Sequence, residues 1–278
     1  MKSEIKAYAK VNLFLDITGR LENGYHTLNT VMQQIGLYDV VTAEISDGDG
    51  ISIECDNLAV PCNEKNIAYK AAAAFLSETG NKAKIHINIS KNIPLEAGMG
   101  GSSTDGAAVL KLLNEMYGCP LTIGKLCDIG ASLGADVPFC ITGGTAVCTG
   151  IGEIMKPVGC LKNYVFLVVK PDFSCSTPAG YRAYDENPLP ENNNFENFIA
   201  ELPCGAEKWA DKMYNVFEKL YDDERISEIT DTMRKNGAIG SILTGSGSAV
   251  FGIFSNENTA QKACEFIEAP FKCITFPE

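Results

Sequence analysis

Residues 84–90 alternate strictly, with Ile85, Ile87 and Ile89 on one face, the period of a half-buried strand. An apolar β-like run covers residues 5–17 and meets a turn signal, Gly19-Arg20-Leu21-Glu22-Asn23-Gly24. Residues 31–53 read as two or three strands, broken at Gly36 and again at Asp47-Gly48-Asp49-Gly50. Residues 66–79 form an alanine-rich helix that Gly80-Asn81 ends. Val109, Leu112, Leu113 and Met116 recur at helical spacing until Gly118 and Pro120. Thr122 caps a further helix carrying Leu126, Ile129 and Leu133, and Gly134 ends it. Strands follow at 145–149 and 164–170, then a polar stretch at 185–197 that reads as a long surface loop or a poorly ordered segment. Helices are expected near 206–220 and 223–236. A strand, the turn Thr244-Gly245-Ser246-Gly247-Ser248, a strand over 249–254, a helix over 256–268 and a closing strand complete the chain. This order implies an α+β fold rather than a strict βαβ repeat. A domain boundary is expected in the strand-poor stretch near 155–162.

The chain has 278 residues, 45% of them hydrophobic, enough for one large or two medium domains. Its net charge of −12 comes without a long basic run, so neither nucleic acid nor an anionic membrane has electrostatic support as a partner. No apolar run is long enough to span a membrane. The start, Met-Lys-Ser-Glu-Ile-Lys, lacks the apolar core of a signal peptide. Eleven scattered cysteines, none in Cys-x-x-Cys spacing, and two histidines placed elsewhere argue against zinc. Free thiols in a reducing cytoplasm, most of them buried as small hydrophobes, is the simplest expectation.

Candidate chemistry concentrates at residues 94–107, Pro-Leu-Glu-Ala-Gly-Met-Gly-Gly-Ser-Ser-Thr-Asp-Gly-Ala. Gly98, Gly100 and Gly101 run straight into Ser102, Ser103 and Thr104, and then into the helical pattern. Glycine lets backbone approach a ligand closely. A helix N-terminus offers unpaired N–H groups and the positive end of its dipole. Together they hold phosphate. The segment is not a Walker A loop, which needs Gly-Lys-Ser/Thr, and not a dinucleotide fingerprint, whose third glycine would fall at Ser103. No Gly-x-Ser-x-Gly elbow supplies a hydrolase nucleophile. A tight turn and helix start without ligand remains the rival reading at this point.

Three blocks, Ala7-Tyr8-Ala9-Lys10-Val11-Asn12-Leu13-Phe14-Leu15, the segment 94–107, and Ile242-Leu243-Thr244-Gly245-Ser246-Gly247-Ser248-Ala249-Val250-Phe251, resemble in order and separation the three signatures of the GHMP small-molecule kinase superfamily. Gly24-Tyr25-His26-Thr27-Leu28 and Leu133-Gly134-Ala135-Asp136-Val137-Pro138-Phe139 resemble its members that act on a cytidine-diphosphate-linked methylerythritol. The resemblance implies an N-terminal domain like the second domain of ribosomal protein S5, here 1–157, and a ferredoxin-like C-terminal domain, 158–278, with the active site between them. It implies transfer of the ATP γ-phosphate to the substrate 2-hydroxyl, with Mg²⁺ accompanying ATP.

On that resemblance, Pro94, Leu95, Glu96, Ala97, Gly98, Met99, Gly100, Gly101, Ser102, Ser103 and Thr104 cradle phosphate, with Ser103 or Thr104 touching Mg²⁺. Asp136 corresponds to the catalytic base, with a helix cap as the rival reading, and Lys10 to the catalytic lysine, with a solvated surface lysine as its rival. Asn12 orients these groups or is purely structural. Tyr25 stacks on cytosine, His26 reads the base edge, and Tyr181 either supplies the other aromatic face or packs in the core. Asn66 contacts adenine or caps its helix. Asn215 is expected to be structural. Ser102 stands where the superfamily commonly has glycine, and Gly106 where it commonly has alanine.

Overall fold

The computed structural model describes residues 1–159 and 161–278, and they divide into two compact units. The first comprises 1–9, 37–93 and 100–143; the second comprises 10–36, 94–99 and 144–278. Strands β1 (Lys2–Arg20) and β2 (His26–Ser46) each contribute to both.

In the first unit, β3 (Gly50–Cys55) runs parallel to β4 (Lys84–Ser90), and β4 pairs antiparallel with the second half of β2. The period-two pattern of β4 is realised: Ile85, Ile87 and Ile89 are all buried. Two helices pack on each other, α1 (Ile67–Thr79) and α2 (Gly101–Met116). Helix α1 starts and stops as its sequence predicts, with Asn66 as N-cap and Gly80 left-handed at φ 67°. Thr122 caps α3 (Ile123–Leu133) through Lys125 N. The short helix α4 (Val137–Thr142), absent from the expected elements, follows at once.

In the second unit, the first half of β2 pairs with β5 (Thr145–Thr149), and β5 pairs with β6 (Ile154–Val158). A four-stranded antiparallel sheet has the order β11-β7-β10-β9, from β7 (Val165–Lys170), β9 (Gly240–Leu243), β10 (Val250–Phe254) and β11 (Phe271–Thr275). Between β7 and β9 the chain forms α5 (Thr177–Glu186), α6 (Phe195–Glu201), α7 (Ala206–Trp209), β8 (Tyr214–Asn215), α8 (Val216–Tyr221) and α9 (Glu224–Lys235). Strand β8 pairs in parallel with β1, and α10 (Glu257–Glu265) packs with α9 against the sheet. Leu15, Leu167, Val169, Phe217, Met233, Leu243 and Phe254 form one buried cluster there.

Five expectations are corrected. Strand β2 continues through Gly36, whose N–H donates to Phe276 O at 2.8 Å. A side chain at 36 would lie 3.1 Å from Thr275 Oγ1, so the glycine admits the C-terminal segment and does not break the strand. The stretch called strand-poor contains β6. The expected loop at 185–197 is shorter than its sequence suggests: it covers 187–194, because α5 runs on to Glu186 and α6 starts at Phe195. Residues 206–220 are no single helix, because β8 interrupts them by pairing with β1. Of the ten described cysteines only Cys140 and Cys148 are buried, while Cys160 lies outside the described residues. Among the described residues no helix is long and apolar enough to cross a membrane.

Candidate active site

Segment 94–99 belongs to the second unit and is held there by backbone. Met99 O accepts from Lys10 N (3.1 Å), Glu96 O from Ser248 N (3.3 Å) and Ala97 O from Ala249 N (3.3 Å). Gly98, at φ 72°, lies so close to the 244–248 turn that a Cβ would sit 2.1 Å from Thr244 O. Gly245, at φ 54°, faces it in return, with a Cβ position 2.6 Å from Gly98 O. Two glycines here permit two backbones to touch.

Lys10 and Asn12 lie on β1 and are buried, at 4% and 2% exposure. Lys10 Nζ donates to Asn12 Oδ1 at 2.8 Å. That oxygen also accepts from Gly245 N (3.0 Å), and Asn12 N donates to Thr244 Oγ1 (3.1 Å). Asn12 Nδ2 donates to Thr30 Oγ1 (2.9 Å), which donates to Phe14 O. Asn12 therefore orients the lysine and pins the glycine turn. Asn215 supports the same turn by donating to Leu243 O and Gly245 O, as expected of a structural residue.

In the first unit, α2 begins at Gly101 behind Gly100, at φ 71°, with no side-chain cap and no acidic residue in its first turn. Its leading N–H groups thus keep their hydrogens available to an anion. Thr104 Oγ1 donates to Tyr8 O at 2.6 Å. The Ser103 hydroxyl makes no hydrogen bond among the described residues, and Ser102 is exposed. Of the two hydroxyls considered for Mg²⁺, Ser103 is the one left available. A single protein oxygen beside nucleotide phosphates suits that ion, which keeps several waters. Among the described residues no group of three or more His, Cys, Asp or Glu gathers to hold a metal.

Asp136 precedes α4 with helical backbone (φ −82°, ψ −12°) and makes no capping hydrogen bond, so the cap reading of its side chain is excluded. Asn66 is the reverse case. Its Oδ1 accepts from Ala68 N and its Nδ2 donates to Pro61 O, both at 2.9 Å, so the amide is committed to the α1 cap.

A buried charge cluster was missed in the sequence. Lys91 Nζ lies 2.5 Å from Asp39 Oδ2 and 2.7 Å from Asp105 Oδ2. Asp39 Oδ1 also accepts from Asn92 N and Ile93 N, whereas Asp105 Oδ1 has no partner among the described residues. Burial pushes the Asp105 carboxyl up to about 7, with Lys91 pulling it down and Asp39 pushing it up.

At the start of β2, Gly24 (φ 86°) closes the turn that leaves Tyr25 exposed at 58%. His26 is buried. Its Nε2 lies 2.7 Å from Asp185 Oδ1, while Arg20 Nη1 lies 3.2 Å from Asp185 Oδ2. Tyr181 stacks on the imidazole at 4.8 Å between centroids and meets Phe217 edge-on at 5.2 Å. Asp185 and Arg20 were not anticipated. The signal was the helical spacing of Tyr181 and Asp185, four residues apart in a stretch read partly as loop.

The residues 66–144 match the family described as GHMP kinases N terminal domain, and 223–273 match GHMP kinases C terminal. The fold and the uncapped helix behind the glycine segment therefore define a GHMP-type small-molecule kinase. The chain is 42% identical over 272 residues to 4-diphosphocytidyl-2-C-methyl-D-erythritol kinase of Clostridium perfringens, covering 97% of this chain and 94% of that one. It is similar to a crystal structure of 4-(cytidine 5'-diphospho)-2C-methyl-D-erythritol kinase, with TM-score 0.80, 30% identity and 99% coverage of both chains. Homoserine kinase from Cytophaga hutchinsonii reaches the same TM-score at 18% identity, covering 99% of this chain and 95% of that one, which shows the shared fold alone. By sequence as well as fold, the chain belongs to the 4-diphosphocytidyl-2-C-methyl-D-erythritol kinase family.

Proposed function

We propose that this kinase transfers the γ-phosphoryl group of ATP to the 2-hydroxyl of 4-diphosphocytidyl-2-C-methyl-D-erythritol, a step toward isoprenoid precursors. The carrying observation is identity of 42% to a curated relative of that name over nearly the whole chain. Phosphoryl transfer needs mainly positioning and charge stabilisation. The N–H groups at the start of α2, with segment 94–104, hold the phosphates. Ser103 is the protein oxygen suited to Mg²⁺, which when bound would neutralise phosphate charge. Asp136 takes the proton from the attacking hydroxyl, and Lys10, held by Asn12, steadies the developing charge. Tyr25 and His26 hold the cytosine, with Tyr181 behind His26. Asn66 acts by fixing the start of α1.

The same reading divides the chain into domains 1–157 and 158–278; the two family matches, 66–144 and 223–273, fall on either side of that boundary. The cytoplasm is its compartment, in keeping with cysteines that follow no pairing motif.

The test is ADP release from purified protein with ATP and Mg²⁺, comparing the cytidine substrate with mevalonate, homoserine and galactose as acceptors. Preferential turnover of any other acceptor refutes the reading. Asp136→Ala should lower turnover about a hundredfold or more, the range for losing a general base. Survival of activity would remove Asp136 from that role.

A further inference from the structure

The His26 imidazole, on β2, is fixed on several sides by α5. Tyr181 covers one face and Tyr184 meets it edge-on, at 6.0 Å and 88°. Asp185, one turn beyond Tyr181 on α5, takes Nε2 at 2.7 Å. The ring side chain is only 7% exposed. Arg20 has only hydrogens to give, so Asp185 meets two donors and accepts on both oxygens. A carboxylate facing Nε2 makes that nitrogen the N–H of the neutral ring and leaves the lone pair on Nδ1. Nδ1 makes no hydrogen bond among the described residues.

Resting on the reading that the acceptor carries a cytidine diphosphate, we propose that Asp185 is a positioning residue for base choice: by fixing the His26 tautomer it makes Nδ1 an acceptor facing position 4 of the pyrimidine, and so selects an amino over an oxo group there. The chemistry is directional. Cytosine presents an N4 amino donor, which the Nδ1 lone pair accepts. A uracil presents an O4 acceptor, and two lone pairs then face each other with no hydrogen between them. Such a mismatch is worth on the order of ten- to a hundredfold in discrimination. Asp185→Asn makes the sharpest prediction. Arg20 would hold the amide oxygen, turning the NH₂ toward Nε2, and the proton would move to Nδ1. The ring would then donate toward position 4.

Two measurements test this. Imidazole ¹⁵N shifts of the free protein report the tautomer directly. The chain has two histidines, and the other ring, of His86 on β4, is assigned with His86→Gln. The expected result is a hydrogen on Nε2 of His26 in the wild type and on Nδ1 in Asp185→Asn. The second measurement is kcat/KM with the cytidine substrate and its uridine counterpart. The wild type should prefer cytidine, and Asp185→Asn should narrow or reverse that preference through KM for the acceptor, with KM for ATP unmoved. A merely structural role would move both KM values together and leave the preference intact. Nδ1–H in the wild type, or an unchanged preference in Asp185→Asn, overturns the proposal. Absence of wild-type turnover with the cytidine substrate would instead overturn the functional reading, and the ¹⁵N measurement then still decides whether Asp185 sets the tautomer.

Discussion

The chain contains two glycine segments studded with hydroxyls, 98–104 and 244–248, and they are put to opposite uses. In the second, every hydroxyl is buried and bonded. Thr244 Oγ1 accepts from Asn12 N, the Ser246 hydroxyl pairs with Thr177 at 2.7 Å, and Ser248 donates to Phe173 O. The chain then enters strand β10, whose ladder consumes its N–H groups. In the first segment the chain enters a helix instead. Thr104 alone turns inward, Ser102 and Ser103 do not, and no cap closes the helix start. Composition does not separate these segments; the element that follows each does. A strand uses up donors along its length, whereas a helix leaves its first turn unpaired.

Substitutions separate the two uses, and the largest effect belongs to the contact that the segments share. Gly98→Ala would force a Cβ to 2.1 Å from a backbone carbonyl oxygen at a left-handed φ. Neither carbonyl nor turn can yield cheaply, so stability should fall by about 3 kcal/mol or more. Urea unfolding of the variant checks it, and a midpoint near that of the wild type would mean the two backbones are farther apart than described.

Next comes Gly106, inside the helix that the first segment begins. Helix propensity alone favours alanine there by about 1 kcal/mol. A Cβ at 106 would however stand 2.5 Å from Ile67 Cγ2 on α1. Packing outweighs propensity, and Gly106→Ala should destabilise by about 1–2 kcal/mol. Pairing it with Ile67→Val is the control, since removal of one methyl should return part of the loss. Additive effects of the two changes would point away from the contact.

The contrast also marks what could be read from the chain. Local signals carried far: the alternation in β4, the Asn66 and Thr122 caps, Gly80, and the three signature blocks all lie within a few residues of what they determine. Features set by distant partners did not show. Gly36 looked like a break because the segment it admits is more than two hundred residues away. β8 split an expected helix by pairing with β1, and nothing near Lys91 in the chain announces the two aspartates from separate elements, Asp39 and Asp105, that enclose it. Of the candidate residues, Lys10, Asp136, Tyr25 and His26 were named from their motifs. Asp185 was not, being 159 residues from the ring it holds.

Charge separates the segments too. The 244–248 turn is held by neutral groups, whereas α2 carries Asp105 in its second turn. Burial raises that carboxyl above its ordinary value, to about 7. The folded state therefore binds the proton more tightly than the unfolded chain does. Its stabilising share is fully present below the unfolded value near 4 and is lost as pH rises through the folded one. Urea midpoints should accordingly fall between about pH 4 and pH 7 from this group, and Asp105→Asn should remove that part of the slope. Parallel wild-type and variant profiles would show that Asp105 does not titrate in this range.

The smallest effects on stability, and the most specific test of use, come from the two outward hydroxyls. Neither Ser102→Ala nor Ser103→Ala removes a bonded group, so each should change stability by no more than about 0.5 kcal/mol. Their kinetics should differ. With Thr104 turned to Tyr8 O, Ser103 is the oxygen available to a divalent ion, so Ser103→Ala should raise the Mg²⁺ concentration needed for half-maximal turnover while Ser102→Ala leaves it unchanged. Equal Mg²⁺ dependence in both variants would place the ion on phosphate and water alone. The first segment would then serve through its N–H groups, and its hydroxyls would be as incidental to the ion as those of the second.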